Sequence, residues 1–319
     1  MEVTLDHIRA AARRIAPIAR RTPVRRSGSF DRRSGVTSLF KCENLQRGGA
    51  FKIRGAANFI YSIPEDQRPH GVVAFSSGNH AQAVAIAAKS VGVQATLVMP
   101  TDAPASKLAA TRAHGPRIVQ YDRFTEDREA IGRRIAAESG ATLVPPFNHP
   151  WIIAGQGTAA LELFEEVPDL DALVVCLGGG GLLSGCAIAA RALAPSVRVF
   201  GVEPELGNDY WLSRRAGAPV TIDPPETIAD GLRTTTPGSH TFPVIQSLVE
   251  DILLVSEDEI RAAMAFLLSR TKMLAEPSGA VAAAAVLFGK LPPGLRRAGV
   301  LISGGNVDLE FLATLPAAD

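Results

Sequence analysis

The chain has 319 residues, 46% of them apolar, and its 33 basic and 32 acidic side chains leave a formal net charge of +1. That length suits one large or two moderate domains, the apolar share excludes a disordered chain, and the near-neutral balance gives no reason to expect nucleic acid as a partner. No apolar run reaches membrane-spanning length and no signal-peptide core opens the chain, so no membrane partner is expected. Cys42, Cys176 and Cys186 lack metal-site or redox spacing and read as reduced packing residues of a cytoplasmic protein. The arginines crowded into the first 35 residues read as a solvated face, because Phe30 is the one aromatic side chain among them.

In chain order, residues 4–19 read as a helix with Thr4 as a possible cap. Residues 38–43 read as a strand, and 52–62 as a helix ended by Pro64. Then an alternation sets in: strand 71–75, helix 78–90, strand 95–99, helix 105–114, strand 117–120, helix 125–139 and strand 142–144. After Pro145-Pro146 follow helix 155–166, strand 173–177, helix 182–194 and strand 197–202. Residues 203–243 read as irregular. Helices 257–272 and 277–289 and strand 299–302 complete the chain. Strand–helix repeats of this kind predict parallel α/β sheets. The pattern divides into a large domain of residues 1–68 plus 148–319 and a smaller inserted domain of residues 69–147.

Four stretches carry chemistry. Lys52 stands just inside a helix after Gly48-Gly49-Ala50-Phe51. Flanked by apolar Phe51 and Ile53 at the positive end of a helix, its amine loses a proton more easily than a surface lysine, which suits Schiff-base chemistry. An ordinary lysine at a helix start is the plain alternative. Ser76-Ser77-Gly78-Asn79-His80 follows a buried strand and opens a helix, which makes either a set of caps or a carboxylate site. Gly178-Gly179-Gly180-Gly181-Leu182 lies between a strand and a helix. Four glycines let backbone N–H groups converge on a phosphate, and the run fits neither a Walker A loop nor G-x-G-x-x-G. Ser303-Gly304-Gly305-Asn306 follows the last strand, as a turn or as a hydroxyl offered to a ligand at the same sheet edge.

In this order and context, with Asp102-Ala103-Pro104, Ile153-Ala154-Gly155-Gln156-Gly157-Thr158 and Pro225-Glu226-Thr227-Ile228-Ala229-Asp230-Gly231, the chain resembles the serine/threonine dehydratase and serine racemase family along almost its whole length. The resemblance implies pyridoxal 5′-phosphate (PLP) as cofactor and fold type II, the tryptophan synthase β-like arrangement of two three-layer domains. It implies that Lys52 holds the cofactor and removes the substrate Cα proton. Phe51 would flank the cofactor, Asn79 would bond its ring oxygen, and Gly178, Gly179, Gly180, Gly181 and Leu182 would cradle its phosphate. Ser303 would face the ring nitrogen with a neutral hydroxyl, which favours elimination over transamination. Ser76, Ser77, Gly78, Asn79 and His80 would grip the substrate carboxylate, with Arg128 and Thr234 or Thr235 nearby. In the racemase branch a serine at the Ser77 position exchanges a proton on the face opposite the lysine. Gly48-Gly49-Ala50 departs from the commoner Thr-Gly-Ser.

The expected activity is therefore loss of water and then ammonia from L-serine, L-threonine or threo-3-hydroxyaspartate, with racemisation as the alternative. An inert binding module is the rival from another class, and intact Lys52, Ser77, Asn79 and Ser303 argue against it. Glu203, Gly207 and Asp209 offer acid, carbonyl and acid, suited to Mg²⁺, Ca²⁺ or Mn²⁺. This set resembles that of the family's divalent-activated members, and solvated loop acids are its plain alternative. Glu276 reads either as a residue beneath the ring or as a helix cap. The resemblance also implies a homodimer.

Overall fold

The computed structural model describes residues 2–76, 78–102, 105–122 and 124–317, with the backbone alone at 105–107. The strands are β1 (Val24–Arg26), β2 (Thr37–Cys42), β3 (Val72–Phe75), β4 (Ala95–Pro100), β5 (Arg117–Tyr121), β6 (Thr142–Leu143), β7 (Ala172–Cys176), β8 (Arg198–Pro204), β9 (Asp251–Val255) and β10 (Arg297–Ile302). They form a six-stranded sheet in the order β1-β2-β10-β7-β8-β9 and a four-stranded sheet in the order β5-β4-β3-β6. Every pairing is parallel except β1 with β2.

The helices are α1 (Leu5–Ile15), α2 (Gly28–Ser34), α3 (Lys52–Tyr61), α4 (Asn79–Ser90), α5 (Ala105–Arg112), α6 (Arg128–Ser139), α7 (Pro150–Glu166), α8 (Gly181–Leu193), α9 (Asp209–Ala216), α10 (Thr241–Leu248), α11 (Glu257–Phe266), α12 (Pro277–Leu287) and α13 (Leu309–Leu312). The predicted strand–helix alternation is present, and the fold is α/β with parallel sheets. The strands β3 and β7 are buried along their whole length, as parallel strands covered on both faces must be. Each large aliphatic side chain buried there contributes about 1.5–3 kcal/mol.

Several local outcomes differ from the sequence reading, and α10 and α13 are absent from it. Helix α7 begins at Pro150, five residues earlier than the periodicity suggests. Proline is preorganised for the first helical position, and the His149 ring caps the turn by accepting from the Trp151 N–H at 3.1 Å. The stretch 203–243 holds α9, whose amphipathic run is too short to stand out from the Pro- and Gly-rich residues around it. The edge strands β1 and β9 and helix α2 were also not anticipated. Two of the three residues of β1 are arginines, an edge-strand composition that hides the strand.

Helix α3 packs against α4 and α7. Its Ile53, Ala56, Ala57 and Ile60 share one buried cluster with Val72, Ala74 and Leu97 of the small sheet. Its other side is fixed by a buried ion cluster. Arg54 donates to Glu43 Oε2 at 2.7 Å and Oε1 at 2.8 Å, and to Glu162 Oε1 at 2.7 Å and Oε2 at 2.8 Å. Lys41 donates to Glu162 Oε2 at 2.6 Å and to the Thr22 carbonyl at 2.7 Å. Burial alone would raise the Glu43 carboxyl, but the Arg54 charge and hydrogen bonds bring it below its usual range. Two cations thus face two anions. Such a cluster adds little net stability, but it fixes geometry, since removing one partner costs about 3–5 kcal/mol. What it fixes is the helix that begins at Lys52.

Candidate active site

A cavity of about 740 Å³ opens where strands of both sheets end. Phe75, Pro100 and Tyr121 bring β3, β4 and β5 to it, Cys176 brings β7, and Ser303 follows β10. Ligands bind beyond the carboxyl ends of parallel strands, and two sheets converge here in that way. Of the residues singled out in the sequence, Phe51, Lys52, Ser76, Gly78, Asn79, His80, Arg128, all four glycines of 178–181, Leu182, Thr234 and Ser303 line it. Ser77 lies outside the described residues. Thr235 is not among the lining residues; its carbonyl accepts the Ile222 N–H at 2.9 Å.

The Lys52 amine donates to the Pro146 carbonyl at 3.0 Å. Burial lowers its pKa to about 8, with Cys176 and Glu276 opposing. The amine is therefore neutral far more often than a surface lysine. His80 is buried, and burial followed by the nearby Lys52 charge holds its pKa down to about 3. It is neutral at physiological pH, and its Nε2 proton points to the Val144 carbonyl at 3.1 Å, which can only accept. Any carboxylate at the start of α4 would then be held by hydroxyls and backbone N–H groups, not by a histidine charge.

Asn79 is pinned from two sides. Its Nδ2 donates to Glu276 Oε1 at 2.6 Å, and its Oδ1 accepts from Asn306 Nδ2 at 2.8 Å. Asn306 Nδ2 also donates to the Gly48 carbonyl at 2.7 Å. Glu276 occupies the cap position of α12, yet its side chain makes no cap hydrogen bond. Capping is thus not what its carboxyl does; it faces the cavity and holds Asn79. The Ser303 hydroxyl donates to the Ser278 carbonyl at 3.3 Å, and the Ser303 carbonyl accepts the Phe51 N–H at 3.0 Å.

The glycine loop lines the cavity and is closely packed by its neighbours, among them Phe147, which shares that lining. A Cβ at Gly179 would lie 2.2 Å from the Phe147 ring, and one at Gly180 would lie 2.4 Å from the Tyr210 hydroxyl. Gly180 also has φ +86°, where side chains are strained. The loop ends at the N-terminus of α8, whose first N–H groups have no partner within the helix. These features fit a phosphate: the glycines themselves carry no side chain, and the first helix donors have no partner within the helix. The Lys52 amine and the neutral Ser303 hydroxyl fit the aldehyde and ring nitrogen of the same cofactor.

Glu203, Gly207 and Asp209 lie apart from the cavity lining, where β8 runs into α9. Both carboxyls are fully buried. Glu203 accepts the Tyr210 N–H at 3.1 Å and the Trp211 N–H at 2.9 Å. Burial, then the facing Asp209, raises the Glu203 carboxyl, and burial raises Asp209 to about 7. Asp209 Oδ2 has no hydrogen-bond partner, while Oδ1 accepts from the Thr234 hydroxyl at 3.3 Å. Among the described residues no group of three or more His, Cys, Asp or Glu side chains is placed to hold a metal.

Sequence reasoning gave no role to Phe147, Gln156, Cys176 or Tyr210. Gln156 Oε1 accepts the Gly55 N–H at 3.1 Å while lining the cavity, and Cys176 is kept a neutral thiol by burial, which pushes it up to about 11. Gln156 stood inside a quoted family pattern, and Phe147 inside the dehydratase-like run Pro145-Pro146-Phe147-Asn148-His149; Cys176 and Tyr210 carried no signal in spacing.

Two parallel-sheet bodies that share one cavity, with a lysine at a helix start and a glycine loop at a helix N-terminus, define a PLP enzyme of fold type II. The model of the pyridoxal-phosphate dependent enzyme family matches residues 15–304, and the chain belongs to that family. It is 53% identical to an L-threo-3-hydroxyaspartate ammonia-lyase of a Pseudomonas species, with 96% of each chain covered. It is 50% identical to a serine racemase of Schizosaccharomyces pombe, covering 97% of this chain and 96% of that one. The solved structure of maize serine racemase superposes with a TM-score of 0.95 at 44% identity, over 98% of this chain and 96% of that chain. Among the described residues no helix is long and apolar enough to cross a membrane.

Proposed function

We propose that the chain is a PLP-dependent ammonia-lyase that removes water and then ammonia from a small hydroxy-amino acid, with L-threo-3-hydroxyaspartate, L-serine and L-threonine as its substrate class. The observation that carries this is the pairing, in one cavity, of a lysine amine lowered to about 8 with a neutral hydroxyl at Ser303. When bound, the cofactor supplies an electron sink for the bond broken at Cα, and the hydroxyl partner keeps that sink weak.

The chain's own residues do the rest. Lys52 holds the cofactor aldehyde, then, once displaced, takes the Cα proton. Phe51 flanks the ring, and Asn79, fixed by Glu276 and Asn306, bonds its oxygen. Gly178, Gly179, Gly180, Gly181 and Leu182 hold the phosphate by backbone N–H groups. Ser76, Ser77, Gly78, Asn79 and neutral His80 hold the substrate carboxylate at the start of α4, with Thr234 lining the same cavity. The β-hydroxyl leaves as water, and the unsaturated amine released hydrolyses to a keto acid and ammonia. The Arg128 guanidinium lines the same cavity and suits a second carboxylate, as in hydroxyaspartate. The 53% identity to a hydroxyaspartate ammonia-lyase supports that ranking.

Racemisation is the second reading, supported by the 50% identity to a serine racemase; it needs Ser77 to return a proton to the other face. The buried Glu203 and Asp209 carboxyls, one with an unpartnered oxygen, favour a Mg²⁺, Ca²⁺ or Mn²⁺ ion completed by Gly207. Residues 69–147 are proposed as the domain that closes on the substrate, against residues 1–68 plus 148–319. A homodimer in the cytoplasm completes the reading, supported by the resemblance and by three free, buried cysteines.

The test is absorbance of the lysine-bound cofactor in wild type and Lys52→Ala, with keto acid and D-amino acid assayed from each substrate. A wild type without that absorbance sinks the reading, and D-amino acid without keto acid replaces it by racemisation. Arg128→Ala should lower kcat/KM about 10- to 100-fold on hydroxyaspartate and spare serine, as loss of one charge-assisted bond predicts. Activity and thermal stability that ignore a chelator would remove the cation.

A further inference from the structure

Tyr210 is fully buried and lies outside the cavity lining, yet its hydroxyl reaches the glycine loop. It donates to the Gly179 carbonyl at 3.0 Å and lies 2.6 Å from Thr241 Oγ1. Thr241 Oγ1 in turn lies 2.9 Å from the same carbonyl. The Gly238 N–H, 3.4 Å away, points to the phenol oxygen and leaves its proton for Gly179. The backbone of Tyr210 is itself fixed, because Glu203 accepts its N–H.

A trans peptide points its C=O and N–H in opposite directions. A Gly179 carbonyl held by the Tyr210 hydroxyl, which in turn accepts from Thr241, on the side away from the cavity sends the Gly180 N–H the other way. The loop has no side chains to enforce that orientation, and glycine peptides flip more readily than others. Something outside the loop must hold the peptide, and the two hydroxyls are placed to do so. We infer that Tyr210 and Thr241 are positioning residues of the phosphate subsite, which fix the Gly179–Gly180 peptide and so aim the Gly180 N–H at the cofactor phosphate. This rests on the reading of the glycine loop as a phosphate cradle.

The experiment compares pyridoxal 5′-phosphate with pyridoxal, which lacks the phosphate. The full chain, stripped of cofactor, is titrated with each by absorbance, as wild type, Tyr210→Phe and Thr241→Val, with unfolding midpoints measured alongside. Wild type should prefer the phosphorylated form. Each variant should lose about tenfold of that preference, the equivalent of one hydrogen bond, while affinity for pyridoxal stays near wild type. A variant that loses affinity for both forms equally, or for neither, overturns the inference and leaves the phosphate reading standing. A wild type with no preference overturns both. If Tyr210→Phe fails to fold, Thr241→Val carries the same comparison, since valine keeps the shape and removes the hydroxyl.

Discussion

Two turns meet at the cavity, each joining the carboxyl end of a parallel strand to a helix, and they are built in opposite ways. The loop at 178–181 is buried, walled by Phe147, Tyr210 and Leu232, and two of its four glycines, Gly179 and Gly180, leave no room for a methyl group. The loop at 76–80 is partly exposed at Ser76, Gly78 and Asn79, and a Cβ at Gly78 would meet nothing within 4 Å. The first is rigid because the core needs it so, and it presents a fixed set of donors. The second has glycine where packing does not ask for it. A group retained through every turnover suits the first kind of site, and a group that comes and goes suits the second.

The largest effect should come from putting bulk into the packed loop. Gly179→Ala drives a methyl into the Phe147 ring, which overpacking of this kind makes costly by about 1–3 kcal/mol. Retention of PLP should fall by about 100-fold in an absorbance titration, and unchanged retention would break the comparison. A middle effect concerns pH on the open side. His80 has its folded pKa depressed from 6.5 to about 3, so between these values the unfolded chain binds a proton that the folded chain does not. Stability should then rise as pH goes from 3 to 6.5 and be lost as pH falls, with a slope of at most about 1.4 kcal/mol per pH unit. Thermal melts of His80→Gln should show a shallower acid limb; an identical limb would place the acid sensitivity elsewhere. The smallest effect should come from Gly78→Ala, where folding stability moves by less than about 0.5 kcal/mol while KM for the amino acid rises. A large drop in its melting midpoint would show that the two turns are not so different.

Much of this was legible in residue order, and the reasons are physical. Strands buried on both faces read as apolar runs, so β3, β4, β7, β8 and β10 could be placed to within two residues. The glycine run and Ser303 stood out because each follows such a strand, and Lys52 because it stands just inside a helix after a glycine turn. What stayed hidden depends on contacts between distant segments. Glu276 looks like a cap in sequence because capping is a local property, while its bond to Asn79 spans most of the chain. Tyr210 lay in a stretch without periodicity, and its tie to Gly179 has no local pattern. Helix α3 reads as part of the large body by chain order, yet its buried face belongs with the small sheet. The apolar run of β9 was there to be read, but the irregular residues before it broke the alternation that drew attention to the other strands.

The place of β10 in the large sheet has a consequence for how the molecule is made. This late strand lies in the interior, between β2 and β7, with Thr37 opposite Arg297 and Ala172 opposite Ala298. A ribosome releases the segment bearing Lys52 long before the strand that completes its surroundings. Until β10 inserts, β2 has no parallel neighbour and Ser303 and Asn306 have not arrived. Pairings between segments so far apart close slowly, because the intervening chain must first surrender its freedom. The surroundings of Lys52 are therefore complete only once β10 has paired with β2 and β7.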